Sequence, residues 1–124
     1  MKRILILSLA AVAVSVPSSA QKPASVVPVI LYSYGYVPNP IVLAAGEPVT
    51  LAFTNRSKSG HEFKAPHFFA ASKITQGSAP GGAVELKGGA SASVTLFPTR
   101  GSYRVHCGHF LHTQFGMETR IIVR

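Results

Sequence analysis

Short runs of alternating apolar and polar residues, separated by Gly, Pro and Asn, fill most of the chain beyond residue 24. An alternation of period two is typical of a β-strand with one buried face. Continuous apolar stretches at 26–31 and 41–43 read as further strands. Seven or eight strands at this spacing predict an all-β fold, a Greek-key β-sandwich or barrel. The alternating runs are residues 49–54, 83–86, 91–96, 102–107 and 117–124.

Two segments interrupt this rhythm. Residues 32–40 contain Pro38 and Pro40 and are predicted to be a turn-bearing connection, because proline cannot donate to a central ladder. The segment around 65–82 is predicted to be an insertion. Within it, residues 67–74 have apolar positions at helical spacing and indicate a short helix, whereas 77–82 indicate a loop.

The N-terminus has the layout of a secretory signal peptide. A basic start is followed by an apolar run of 13 residues from Ile4 to Val16, and small residues precede Gln21. A membrane span needs roughly 20 residues, so this run is short, although an uncleaved anchor remains the alternative. We therefore predict a signal peptide over 1–20, a single domain over 21–124, and a periplasmic or secreted location.

The charge balance limits the classes of function. The chain has a formal net charge of +8, with twelve Lys and Arg, four Glu and no Asp. Such a surface favours an acidic partner, although a merely solubilising role is an alternative. The basic residues are scattered and no recognition helix or stacking pattern accompanies them, which argues against nucleic-acid binding. Because the acidic residues are dispersed, no catalytic acid–base pair is evident, and we predict that the protein is not an enzyme.

The candidate chemistry lies near the C-terminus, where Cys107, His112 and Met117 follow one another with four residues between each pair. Cys107 is the only cysteine in the chain. An unpaired thiol in an exported protein is either a ligand or an inert buried hydrophobe. A thiolate, an imidazole and a thioether on one loop form a soft ligand set that suits copper. Two histidines and a cysteine with a weak axial methionine define the blue-copper electron-transfer site.

The strand pattern indicates where these side chains point. If Val105 faces the core, Cys107 also does so at the end of the same strand, and His106 faces away. Met117 begins the last strand on the core face. A methionine there is alternatively ordinary core filler. A structural zinc site is a weaker alternative, because methionine is not among the usual zinc ligands.

The choice of histidines stays open on spacing alone. His112 is preferred over His109 because it leaves a longer loop that folds back, and His109 is then expected to orient the loop through a hydrogen bond. His61 is preferred over His67 as the second imidazole, because a strand beginning at His61 is able to lie beside the strand of the cysteine. A second, transient copper site made by residues 67, 106 and 109 is a further alternative.

Three segments resemble one protein family, the cupredoxins, which are the plastocyanin- and azurin-like blue-copper proteins. Residues 37–51 are similar to the second and third strands of the family. Phe53-Thr54-Asn55 followed by His61-Glu62-Phe63 is similar to its Asn-then-His segment. The motif Cys107-x₄-His112-x₄-Met117 resembles the ligand loop of many small bacterial members. Glu62 departs from the Asn that plastocyanins and azurins commonly have after the first ligand, where it helps to hold the cysteine loop.

The resemblance implies a cupredoxin fold over the whole mature chain and one copper ion that cycles between Cu(I) and Cu(II). It implies that His61 and His112 are the imidazole ligands, Cys107 the thiolate and Met117 the axial ligand. The expected function is a monomeric periplasmic one-electron carrier with a transient, acidic redox partner. A copper-handling protein without electron shuttling is the alternative, and a metal-free interaction module is a more remote one.

Overall fold

The computed structural model describes residues 8–16, 22–109 and 116–124, and its architecture is a sandwich of two five-stranded sheets. The first sheet has the spatial order β2-β1-β4-β8-β6. Its strands are β1 (Ser25–Tyr32), β2 (Gly35–Val37), β4 (Val49–Asn55), β6 (Lys73–Gln76) and β8 (Ser91–Phe97).

The second sheet has the order β3-β10-β9-β5-β7. Both sheets are mixed: β1 pairs in parallel with β4 and β10 in parallel with β3, whereas the other pairs are antiparallel. Its strands are β3 (Ile41–Leu43), β5 (His61–Lys64), β7 (Ala83–Leu86), β9 (Gly101–His106) and β10 (Glu118–Val123).

The core lies between the sheets and follows the alternation in the sequence. In β4, Val49, Leu51 and Phe53 are buried and alternate with partly exposed residues. Phe63 of β5 is fully buried and joins the two sheets, with its ring centroid 4.8 Å from that of Phe53. Such aromatic pairs contribute about 0.5–1.5 kcal/mol beyond the area they bury.

The predicted all-β sandwich is confirmed, and the described residues contain more strands than the seven or eight expected. The additional strands are β2, which lies within the predicted connection 32–40, and β6, which lies within the predicted insertion. The insertion also contains a one-and-a-half-turn helix, α1 (Pro66–Ala71), and a short 3₁₀ turn over Pro80–Gly82. The helix packs Phe68 and Phe69 into the core.

The N-terminal segment contributes nothing to the sandwich in its described part. Residues 8–16 have neither helix nor strand, and their side chains are exposed; Leu9 is 93% exposed. Within the part of the chain that the structure describes, no helix has the length and hydropathy that a bilayer crossing requires.

Candidate metal centre

The three predicted ligands that the structure describes lie at the same end of neighbouring strands. β10, β9 and β5 are adjacent in the second sheet. Met117 immediately precedes β10, Cys107 immediately follows β9, and His61 is the first residue of β5. Each continues the core-facing series of its strand, and each is at most 1% exposed. The period of two in the sequence thus places three donor-bearing side chains on the inner face at one pole.

Cys107 and Met117 are cross-strand neighbours. The register of β9 and β10 pairs His106 with Glu118, and the backbone N–H of Cys107 extends this ladder by donating to the carbonyl of Met117 over 3.2 Å. Gly116 precedes Met117 with a φ of 90°, a conformation that L-residues rarely adopt. The glycine therefore allows the chain to enter β10 in the register that brings the two sulfur-bearing residues together.

His61 occupies the corresponding end of β5. The antiparallel pairing of Lys64 with His106 makes β5 a direct neighbour of the cysteine strand, an adjacency that the sequence permitted without requiring it. Continued by one residue, this register places Phe63 opposite Cys107 and His61 diagonal to it. Diagonal residues in a sheet lie about 7–8 Å apart, within reach of long side chains. The Nε2 atom of His61 lies 3.3 Å from the hydroxyl of Ser59.

Asn55 fixes the turn that leads into His61. Its buried side-chain amide lies 2.8 Å from the carbonyl oxygen of Ser59 and 3.0 Å from that of Leu86, the residue paired with His61. Its Oδ1 accepts the backbone N–H of Ser57 at 2.9 Å. One buried amide therefore ties β4, the following turn and the end of β7 together around the histidine.

The sulfur of Cys107 lies in a buried, hydrogen-bonded environment. Burial raises the pKa of the Cys107 thiol, and the carboxylates of Glu62 and Glu85 act in the same direction. Backbone N–H groups of His109 and Glu62 donate hydrogen bonds to the sulfur that oppose this increase in the pKa. Such donors stabilise the thiolate form, which is the form that ligates metals.

Glu62 holds the cysteine loop from the outer face of the sheet. Its Oε1 accepts the backbone N–H of Gly108 at 2.8 Å. Its own carbonyl accepts the hydroxyl of Tyr36, a fully buried residue of β2, at 2.6 Å. Burial, and then the nearby Cys107 and Glu62, raise the pKa of the Tyr36 phenol. Glu62 thus links the strand that begins at His61 to the cysteine loop.

A family model described as the cupredoxin-like domain matches residues 4–123, which is nearly the whole chain. The chain belongs to the cupredoxin-like family. The fold that the resemblance implied is therefore confirmed. A search of curated protein sequences found no significant match.

Solved structures similar to this cupredoxin include two auracyanins. Reduced auracyanin from Roseiflexus castenholzii superposes with a TM-score of 0.60 at 18% identity, covering 82% of this chain and 99% of its own. Auracyanin B gives a TM-score of 0.60 at 23% identity, with 85% and 92% covered. At sequence identities this low, the structural similarity to the auracyanins is evidence for a shared fold and for nothing beyond it.

A multicopper oxidase from Campylobacter jejuni is also similar, with a TM-score of 0.61 at 10% identity. The match covers 88% of this cupredoxin and 32% of the oxidase. The chain thus spans about a third of that enzyme's length.

The histidine that follows the cysteine by two residues forms a side-chain hydrogen bond in this cupredoxin, as the sequence led us to expect; its effect on the loop stays a prediction. The Nε2 of His109 donates to the Oε1 of Glu85 at 2.6 Å. Its ring stacks near that of His61, with the centroids 6.4 Å apart and the planes 25° apart. Sequence reasoning missed Glu85 and Tyr36, because neither a polar strand position nor a tyrosine in a proline-rich connection signals a role beside a metal site.

The other histidines are placed differently. His67 is exposed on α1, in contrast to the buried His61. His106 is half-buried, and its Nδ1 atom is enclosed without a hydrogen-bond partner among the described residues. Burial, and then the nearby Arg104 and Lys64, lower the pKa of the His106 imidazole.

Part of the predicted ligand loop lies outside the described residues, namely 110–115, which include His112. In residues 8–16, 22–109 and 116–124, no three His, Cys, Asp or Glu side chains lie close enough together to hold a metal ion. The structure therefore gives no support to a second site made by residues 67, 106 and 109. Of the predicted set, the described ranges contribute one imidazole, one thiol and one thioether.

The donors that are described suit copper. They are soft or borderline ligands at a buried pole, and a hydrogen-bonded frame surrounds them. Soft thiolate and thioether ligands select copper, and imidazole suits it as well. Hard cations such as Mg²⁺ and Ca²⁺ prefer oxygen ligands.

Proposed function

We propose that this protein is a type 1 copper protein that carries one electron at a time between partner proteins. The observation that supports it best is the placement of His61, Cys107 and Met117 at the core-facing ends of three adjacent strands. With His112 as the second imidazole, these residues form the His₂Cys-plus-Met set of blue-copper sites. Copper supplies reversible one-electron chemistry in such a site.

The protein frame prepares the ligands in this proposal. Because Nε2 of His61 lies 3.3 Å from the hydroxyl of Ser59, Nδ1 is the nitrogen that would bind the metal in this proposal. The cross-strand hydrogen bond from Cys107 to Met117 and the side chain of Asn55 hold the ligands in a fixed arrangement. A fixed arrangement reduces the structural change between oxidation states, and the hydrogen bonds to the cysteine sulfur adjust the potential.

The proposed role is that of a carrier and not of an enzyme. The chain spans about a third of the multicopper oxidase that it resembles, and nearly all of an auracyanin. We call the end of the sandwich that holds His61, Cys107 and Met117 the copper pole. Among the described residues there, no acid–base pair is evident, because Glu62 accepts a backbone N–H and Glu85 accepts an imidazole N–H.

We further propose that residues 1–20 are a signal peptide and that the carrier acts in the periplasm. The sandwich begins at Ser25, and the described residues 8–16 take no part in it. Sequencing the N-terminus of the exported protein is expected to give Gln21. An N-terminus that still contains residues 4–16 would contradict this proposal.

The proposed partner is an acidic redox protein that docks at the copper pole. Arg56 and Lys58 lie in the turn before β5, and Lys87 follows β7, the strand that pairs with β5. All three side chains are exposed. A Cβ at Gly88 would lie 2.4 Å from the carbonyl oxygen of Lys58, so the two turns share one end of the molecule. Among the described residues, none of the three cations forms an ion pair.

Small redox probes test this surface. Oxidation of the reduced copper protein by an anionic oxidant such as ferricyanide is expected to slow with added salt, because exposed charges are screened. The variant Lys58→Glu should slow the same reaction, whereas Arg124→Glu at the opposite end, which changes the net charge by the same amount, should have a smaller effect. Equal effects of the two changes would argue against a docking pole.

Copper titration of residues 21–124 tests the function itself. Cu(II) is expected to give an intense visible copper–thiolate band that Cys107→Ser abolishes and His61→Ala strongly weakens. The exposed His67→Ala provides the matched control and should retain the band. Tight Cu(I) binding without this band would favour copper handling instead, and a band that survives Cys107→Ser would overturn the ligand assignment.

A further inference from the structure

Two carboxylates face each other beside the candidate metal centre. Glu62 of β5 and Glu85 of β7 are direct antiparallel partners on the outer face of the second sheet. They are two of only four acidic residues in a chain that carries a net charge of +8. Like charges directly opposite in a sheet are destabilising, so the pair costs stability unless neighbouring groups compensate.

Both carboxylates bind the residues that follow Cys107. Glu62 accepts the backbone N–H of Gly108 at 2.8 Å, and Glu85 accepts the imidazole N–H of His109 at 2.6 Å. Hydrogen bonds with an ionised partner are roughly twice as strong as neutral ones. The two acids therefore anchor consecutive residues of the ligand loop at the point where it leaves the cysteine.

The glycine at 108 is fitted to this arrangement. A Cβ there would lie 2.4 Å from the Oε1 of Glu62 and 3.7 Å from the Cδ of Lys64. A larger residue at this position would require the carboxylate of Glu62 to move, and we expect its hydrogen bond to the backbone N–H to weaken. Glu62, Glu85 and Lys64, three ionisable side chains at this end of the loop, together carry a net charge of −1 when ionised.

We propose that Glu62 and Glu85 form a carboxylate clamp, which positions the cysteine end of the ligand loop and electrostatically favours the oxidised metal. This inference rests on the function proposed above. If copper were bound, its reduction from Cu(II) to Cu(I) by one electron from the partner would remove one unit of positive charge beside the two carboxylates. The clamp therefore lowers the reduction potential relative to a site with neutral side chains.

Charge removal tests the electrostatic part. Glu62→Gln and Glu85→Gln keep the shape and an acceptor oxygen but remove the charge. We expect each to raise the midpoint potential of the copper protein, and the double variant to change the Cu(II)/Cu(I) affinity ratio at least about tenfold, which is 59 mV for a one-electron couple. Glu47→Gln is the matched control, since Glu47 pairs with Lys22 away from the site, and should leave the potential unchanged.

Hydrogen exchange tests the positioning part in the copper-free protein. The backbone N–H at position 108 is expected to exchange at least about tenfold faster in the variants Glu62→Ala and Gly108→Ala than in wild type. In Glu62→Gln the same N–H should keep its protection from exchange, because the amide oxygen still accepts it. Equal exchange in Glu62→Ala and wild type would overturn the positioning role. An unchanged potential in the double Gln variant would overturn the electrostatic role. If the wild-type protein does not bind copper at all, the proposed function is overturned instead. Hydrogen exchange in the copper-free protein would still test the hydrogen bond between Glu62 and Gly108.

Discussion

The backbone N–H of Cys107 donates to the carbonyl of Met117 over 3.2 Å, so the two sulfur-bearing residues are cross-strand neighbours in one ladder. Both side chains are fully buried. Their relative position is therefore set by the pairing of β9 with β10 and not by the loop that joins these strands. A change in the loop sequence is therefore expected to leave the relative position of the two sulfur-bearing residues nearly unchanged.

Substitution of Met117 separates its roles as core residue and ligand. Met117→Leu nearly conserves volume and should cost less than about 1.5 kcal/mol of unfolding free energy in the copper-free protein. Met117→Ala leaves a cavity and should cost about 2–5 kcal/mol. Urea unfolding measures both values. If Met117 is the axial ligand, the potential of the copper-loaded Leu variant differs from that of wild type; an unchanged potential would reduce Met117 to core filler.

Removing the side chain of Asn55 should loosen the approach to His61. Asn55→Ala removes the amide donor to the carbonyl of Ser59 and to the buried carbonyl of Leu86. The expected cost is about 1–3 kcal/mol in urea unfolding. The control Ser91→Ala removes only an exposed hydroxyl contact on the next strand and should stay within about 0.5 kcal/mol of wild type. Equal stabilities for the two variants would contradict the role assigned to Asn55.

The Tyr36 phenol makes stability depend on alkaline pH. Its hydroxyl donates to the carbonyl of Glu62 at 2.6 Å, so Tyr36→Phe should cost about 1–2 kcal/mol at neutral pH. Because the pKa of Tyr36 is raised in the folded state, its contribution is complete below the unfolded value of about 10 and is lost as the pH rises further.

The difference between wild type and Tyr36→Phe should therefore shrink by about 0.8 kcal/mol at a pH of about 10.5. Urea midpoints of both proteins at neutral and at alkaline pH measure this change. The substitution Tyr32→Phe, at a largely exposed tyrosine, is the matched control and should show no such convergence. A constant difference across the range would show that Tyr36 ionises normally in the folded protein.

Most of the sandwich was predictable because its strands bury one face. The alternation in β4, β9 and β10 appears directly in the burial of their residues. β6 was not predictable, since all four of its residues are exposed and only backbone pairing with β8 at the sheet edge defines it. β2 was not predicted from the sequence, because its three residues lie next to two prolines. In the structure, the burial of Tyr36 shows that this strand contributes to the core.

The site was predictable where it follows strand geometry. Alternation placed Cys107 and Met117 on the core face. The adjacency of the histidine strand, seen in the pairing of Lys64 with His106, was compatible with the sequence but not determined by it. The contacts of Glu85 were not predictable, because its partner strand contributes from a different part of the chain. Pairing across such sequence separation depends on the whole topology and not on local pattern.

Strand β10 comes later in the chain than every other strand of its sheet, yet it lies in the interior of that sheet, between β3 and β9. The earlier strands of this layer consequently have a gap until the segment after Met117 has been synthesised and inserted. If the proposed ligand set binds copper, uptake through all four ligands therefore follows the synthesis of the last strand and does not guide the first steps of folding.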